Sequence, residues 1–75
     1  MDTATSFHRR LRALRASRLL TRPQLAAELN VNVNTIRAWE SGRSLPKVPL
    51  LLAIARRFGV DVADLIDDDK PMSIS

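Results

Sequence analysis

Asn34 and Arg37 lie three residues apart, with Arg22 and Arg43 on either side of them, and these are the side chains best equipped for chemistry in the 75-residue chain. A carboxamide can donate and accept at once across one edge of adenine. A guanidinium can offer two parallel N–H donors to guanine or to a phosphate. Val33 and Ala38, beside them in the sequence, carry methyl groups able to meet a thymine methyl. Catalytic chemistry finds much less to work with. His8 is the only histidine, cysteine is absent and no glycine-rich phosphate loop is present, so neither a nucleophilic triad nor a zinc set can be assembled. Asp64, Asp67, Asp68 and Asp69 lack calcium-loop spacing and read as a solvated acidic end. The chain is therefore expected to be no enzyme and to hold no metal and no cofactor.

Charge distribution says more than the net +4. Residues 7–57 hold eleven basic residues against Glu28 and Glu40, a local net of +9, whereas residues 61–69 hold five acids and no base. A basic body beside an acidic end suits a polyanionic partner met on one face. The first six residues are polar with no apolar stretch behind them, and no run is long enough to cross a bilayer. A soluble cytoplasmic protein is the expectation. With so short a chain the core must be dense in aliphatic side chains, and leucine, isoleucine, valine and alanine supply it.

The elements that must position these side chains read as five short helices without a strand pattern, an all-α fold. Residues 6–18 place Phe7, Leu11 and Leu14 at helical spacing, with Ser6 as the expected N-cap and His8 expected to be exposed. Thr21 and Gln24 have capping-box spacing and Pro23 falls in the first turn of a second helix, whose buried stripe is Leu25, Ala26 and Leu29. A third helix runs over residues 32–41, capped by Asn32 and stopped by Gly42, with Ile36, Trp39 and Glu40 on one face. Residues 49–58 form a fourth helix ended by Gly59, and Asp61 caps a fifth over residues 62–66. A flexible arm (1–5), a helical domain (6–67) and a flexible tail (68–75) are the expected divisions.

Ala26, Asn30 and Ile36 belong together. A close crossing of two helices at a short turn needs a small residue on the first, a residue tolerant of positive φ in the turn, and a branched apolar residue on the second. The stretch TRPQLAAELNVNVNTIRAWESGRSLP, with this arrangement, resembles the lambda-repressor-like family, also called Cro/C1-type or XRE. The resemblance extends to Leu14-Arg15, to Trp39-Glu40 with Gly42, to Pro46, and to Leu51, Ala55, Gly59-Val60 and Leu65. The chain departs from the family habit at Leu19 and Asn30, where glycine is usual, at Arg22, where glutamine is usual, and at Lys47, where a serine cap is usual.

The resemblance implies a compact five-helix domain that binds double-stranded DNA as a transcriptional regulator, a repressor foremost, with residues 32–41 as recognition helix in the major groove. It implies base reading by Val33, Asn34, Arg37 and Ala38, and phosphate contacts from Arg22, Asn32, Thr35, Ser41 and Arg43. Glu40, at the margin of the buried face, needs a partner to offset desolvation, and Arg15 on helix one is the natural one. Trp39 is expected in the core. Regulators of this kind bind as symmetric dimers on paired half-sites. Leu45, Val48, Leu50 and Leu52 exceed what one helix face can bury and are the candidate homodimer interface, or else complete a very small core. No membrane and no small-molecule ligand are expected. An antitoxin or adaptor that binds protein through the same fold is the alternative.

Overall fold

The computed structural model describes residues 3–66, with side chains from Ser6 onward. Five helices and no strand occur among these residues: α1 (Thr3–Ser17), α2 (Arg22–Leu29), α3 (Val33–Ser41), α4 (Val48–Phe58) and α5 (Val62–Ile66). The tail at 68–75, and Asp67 to Asp69, lie outside the described residues. α1 packs against α3 and α5, α2 against α3 and α4, and α4 against α5. One core results, built from Phe7, Leu11, Leu14, Leu20, Leu25, Ala26, Ile36, Trp39, Ile54, Ala55, Phe58 and Leu65.

Local chemistry sets the helix limits. Thr21 Oγ1 accepts from Gln24 N at 3.2 Å and Gln24 Oε1 accepts from Thr21 N at 2.8 Å, a complete capping box at the start of α2. α2 exits through Asn30 in the left-handed conformation (φ 57°, ψ 47°), and Val31 N donates to Ala26 O at 3.0 Å. Asn32 Oδ1 then accepts from Asn34 N at 2.8 Å to open α3. Gly42 closes α3 at φ 82°. A side chain there would be strained by that φ and would bring its Cβ to 3.1 Å from His8 Nδ1. His8 is thus half-buried against the end of α3 rather than exposed as its helical spacing suggested.

Other positions differ from sequence expectation for reasons of packing. Ser6 is buried inside α1 and does not cap it, because the helix already begins at Thr3 and nothing in Thr-Ala-Thr halts it. Asp64 is buried, not part of a solvated end. The packing of α5 on α1 places its backbone carbonyl against Arg10 Nη1, while its Oδ2 accepts from Asp61 N at 3.2 Å, the local contact that opens α5. Leu50 is half-buried and packs against the core, whereas Leu45, Val48 and Leu52 remain exposed. Lys47 holds the N-cap position of α4 without any side-chain cap bond.

The turn between α1 and α2 carries strain. Leu19 adopts φ 55°, and Leu20 N donates to Arg15 O at 3.1 Å across it, a left-handed helix exit built on a residue with a Cβ. Its side chain is 90% exposed, so little packing offsets the backbone penalty. Relief of about 1–2 kcal/mol of left-handed strain outweighs the roughly 0.5–1 kcal/mol of extra chain entropy that glycine loses on folding. Leu19→Gly is therefore expected to stabilise the domain by about 0.5–1 kcal/mol, visible as a melting temperature raised by several degrees. An unchanged or lower melting temperature would show that this turn stores no strain.

Candidate nucleic-acid interface

α2, the three-residue turn Asn30-Val31-Asn32 and α3 form a helix-turn-helix, and the requirements read from spacing are met in it. Ala26 and Ile36 are both buried in the core and Asn30 makes the left-handed bend between their helices. Trp39 is buried with them. The two helices are consequently held by core packing on their inner sides, which leaves the opposite side of α3 outward.

That outward side carries Asn34 and Arg37, both exposed. Neither side chain engages a partner among the described residues, so their full hydrogen-bonding capacity faces solvent. Ala38 is half-exposed beside them. Val33, expected to project outward, is half-buried and packs against the core. The fully exposed part of the outward side of α3 is narrower than helical spacing alone suggested.

The flanking groups differ among themselves. Arg43 is exposed just past α3 and its side chain has no protein partner among the described residues. Asn32 is exposed, with its carboxamide oxygen committed to the cap. Thr35 is half-buried, and Ser41 donates its hydroxyl proton to Ala38 O at 3.1 Å. Arg22, at the first position of α2, makes a contact that the sequence reading missed: its Nε donates to Glu40 Oε1 at 2.9 Å. The two residues are eighteen positions apart and meet only because α2 crosses α3. A signal did exist in the sequence, since Glu40 is the sole acid of α3 and Arg22 the sole base of α2.

Glu40 has only 2% of its side chain exposed and joins three elements. Arg15 of α1 donates Nε to Oε2 at 2.6 Å and Nη2 to Oε1 at 3.1 Å, a two-bond fork, while its Nη1 donates to Leu20 O at 2.8 Å. The expected Arg15–Glu40 pair is present, extended by Arg22 into a cluster of two cations and one anion. A second clip ties α4 to α2 through Arg57 and Glu28. The hydrogen bond from Arg57, reinforced by its charge, holds the Glu28 carboxyl below the usual carboxylate range. Both side chains are exposed, so this pair contributes little to stability.

No group of three metal-ligating side chains occurs among the described residues, and none of their helices is long and apolar enough to cross a membrane. A helix-turn-helix family profile matches residues 11–65. The chain is 32% identical over 69 residues to the HTH-type transcriptional activator BcrR of Enterococcus faecalis, covering 92% of this chain and 34% of that protein. It is 33% identical over 64 residues to the cryptic phage CTXphi transcriptional repressor RstR of Vibrio cholerae, covering 85% of this chain and 58% of that one. To an HTH-type transcriptional regulator of Methanocaldococcus jannaschii it is 38% identical over 63 residues, 81% of this chain and 96% of the relative. The chain thus spans about a third and little more than half of the first two relatives. No solved structure matches it. With its helix-turn-helix geometry and a family match over most of its length, the chain belongs to the lambda-repressor-like, Cro/C1-type helix-turn-helix family.

Proposed function

We propose that this chain regulates transcription by binding specific double-stranded DNA, with α3 in the major groove. A single observation carries this reading: the outward side of the second helix of a helix-turn-helix holds Asn34 and Arg37 with no partner among the described residues, bracketed by Arg22 and Arg43. Asn34 reads adenine and Arg37 guanine by paired hydrogen bonds, and Ala38 meets a thymine methyl. Arg22 and Arg43, with lesser help from Asn32, Thr35 and Ser41, hold the backbone and set the register without reading sequence. The domain acts as a symmetric dimer on two half-sites, with exposed Leu45, Val48 and Leu52 as the contact between copies. Occupation of an operator represses by occlusion, which needs no contact beyond the DNA. The relatives named as an activator, a phage repressor and a regulator support regulation of transcription as the common theme.

Selection of bound sequences from a random duplex pool tests the reading directly, since half-site sequence and spacing emerge together. On the selected site, Arg37→Ala is expected to cost about 1–3 kcal/mol and to relax preference at one base position. Arg43→Ala should weaken all sequences alike and reduce the salt slope by about 0.9 per bound protomer, or about 1.8 for a dimer on paired half-sites. Arg43 is the cleaner probe of phosphate contact, because Arg22 also supports Glu40. Recovery of no preferred sequence, or a base preference untouched by Arg37→Ala, would refute the assignment.

A further inference from the structure

We propose that Glu40 is a positioning residue for DNA binding: the buried carboxylate aims the exposed Arg22 guanidinium at a backbone phosphate. The inference rests on the DNA-binding reading above and adds to it a residue that cannot itself touch DNA, since Glu40 is 2% exposed.

Three features of the cluster point this way. Arg15 already supplies Glu40 with two hydrogen bonds and a full compensating charge, and is itself fastened to Leu20 O. The carboxylate therefore has no need of Arg22 for its neutralisation, and the cluster keeps a net charge of +1. That surplus lies at the most exposed member, with Arg22 at 43% side-chain exposure against 17% for Arg15. Arg22 also meets Glu40 through Nε alone. Its two terminal amino groups, which make the fork that fits a phosphate, have no partner among the described residues. A free arginine side chain samples many rotamers, whereas this one is held at its inner nitrogen with its outer edge presented. Immobilising one such side chain in advance is worth roughly two- to tenfold in affinity.

The sign of the effect separates positioning from simple electrostatics. Removing a negative charge close to a DNA-binding surface should by itself strengthen binding. Loss of a positioning group should weaken it. The measurement is affinity for a mixed-sequence linear duplex at several salt concentrations, because a phosphate contact acts on any sequence. Native protein, Arg22→Ala, Glu40→Gln and the double variant are compared at a temperature where circular dichroism shows all four folded. Glu40→Gln is expected to bind about two- to tenfold more weakly than the native protein. Arg22→Ala should cost several-fold less in the Glu40→Gln background than in the native one. Arg22→Lys, which leaves the Arg15–Glu40 fork intact, keeps the experiment decisive if Glu40→Gln does not fold. It preserves the charge, but one ammonium cannot serve carboxylate and phosphate as a guanidinium does, so affinity should fall while the salt slope is retained.

Tighter binding by Glu40→Gln would overturn the proposal and make Glu40 a latch that holds Arg22 from the phosphate. Equal losses from Arg22→Ala in both backgrounds, or Arg22→Lys binding as the native protein does, would also overturn it while leaving DNA binding intact. An Arg22→Ala protein with native affinity and salt slope would remove the phosphate contact, and the positioning role with it. A native protein that binds no duplex at low salt would refute the functional reading itself.

Discussion

Glu40→Ala is expected to destabilise the domain by about 3 kcal/mol, the lower end of the 3–5 kcal/mol found when one partner of a buried ion pair is removed. The substitution leaves the Arg15 guanidinium, 17% exposed, facing the cavity without its carboxylate. Water can reach it in part, which places the effect at the lower end. It also frees Arg22 and cuts a side-chain link that ties α1, α2 and α3 together at one point. Small domains have only about 5–15 kcal/mol of stability, so this loss should lower the melting temperature by more than 10 °C. Thermal melts followed by circular dichroism and by the emission of buried Trp39 would measure it. Glu28→Ala is the fitting control, since Glu28 is an exposed acid whose pair with Arg57 is screened by solvent, and it should change stability little. Asp64→Ala cannot serve as that control, because Asp64 is buried and opens α5. Equal melting temperatures for the Glu40 and Glu28 variants would refute a buried anchoring role for Glu40.

Binding to a selected pair of half-sites is expected to weaken roughly 100-fold between 50 and 200 mM salt. Arg22 and Arg43 from two protomers neutralise four phosphates, and each releases about 0.9 counterion, for a log–log slope near −3.6. A lone protomer on a single half-site should show about half that slope and lose only about tenfold over the same range. The comparison thus reads the number of protomers bound as well as the contribution of charge. Half-site centres about one helical turn, roughly 34 Å, apart are expected from a symmetric pair. Val48 is the sensitive position on the proposed contact between copies, being 66% exposed at the start of α4. Val48→Glu should leave the helical fold intact and abolish cooperative binding to paired sites. Leu50→Glu would confound that test, since Leu50 packs against the core. Equal salt slopes on single and paired sites would refute binding as a pair, and full cooperativity in a folded Val48→Glu protein would move the interface away from this surface.

Much of the fold was legible in the sequence because the interactions that delimit its helices are local. Thr21 with Gln24, Asn32 with Asn34, and the left-handed exits at Asn30, Gly42 and Gly59 all act within a few residues. Each can be read from residue type and spacing without knowing where any helix goes. The core was legible for a related reason: Phe7, Leu11, Leu14, Ile36, Trp39, Ile54, Phe58 and Leu65 recur at helical period, and a short chain leaves no other use for them. The helix-turn-helix followed from Ala26, Asn30 and Ile36, whose offsets state a crossing before the crossing is seen.

What tertiary structure alone decided are contacts whose partners are far apart in the chain. Arg22 meets Glu40, Arg18 donates to Phe58 O, Arg57 pairs with Glu28, and Arg10 reaches the Asp64 carbonyl across 54 residues. An arginine at helical spacing reads as exposed, yet its long stem lets it lie along the surface to a partner that depends on the angle between helices. The same angles decided that Val33 and Leu50 lean inward, that Asp64 is buried, and that Val48 stays exposed. Periodicity says which face of a helix is apolar; where that face ends is settled only by the neighbour packed against it.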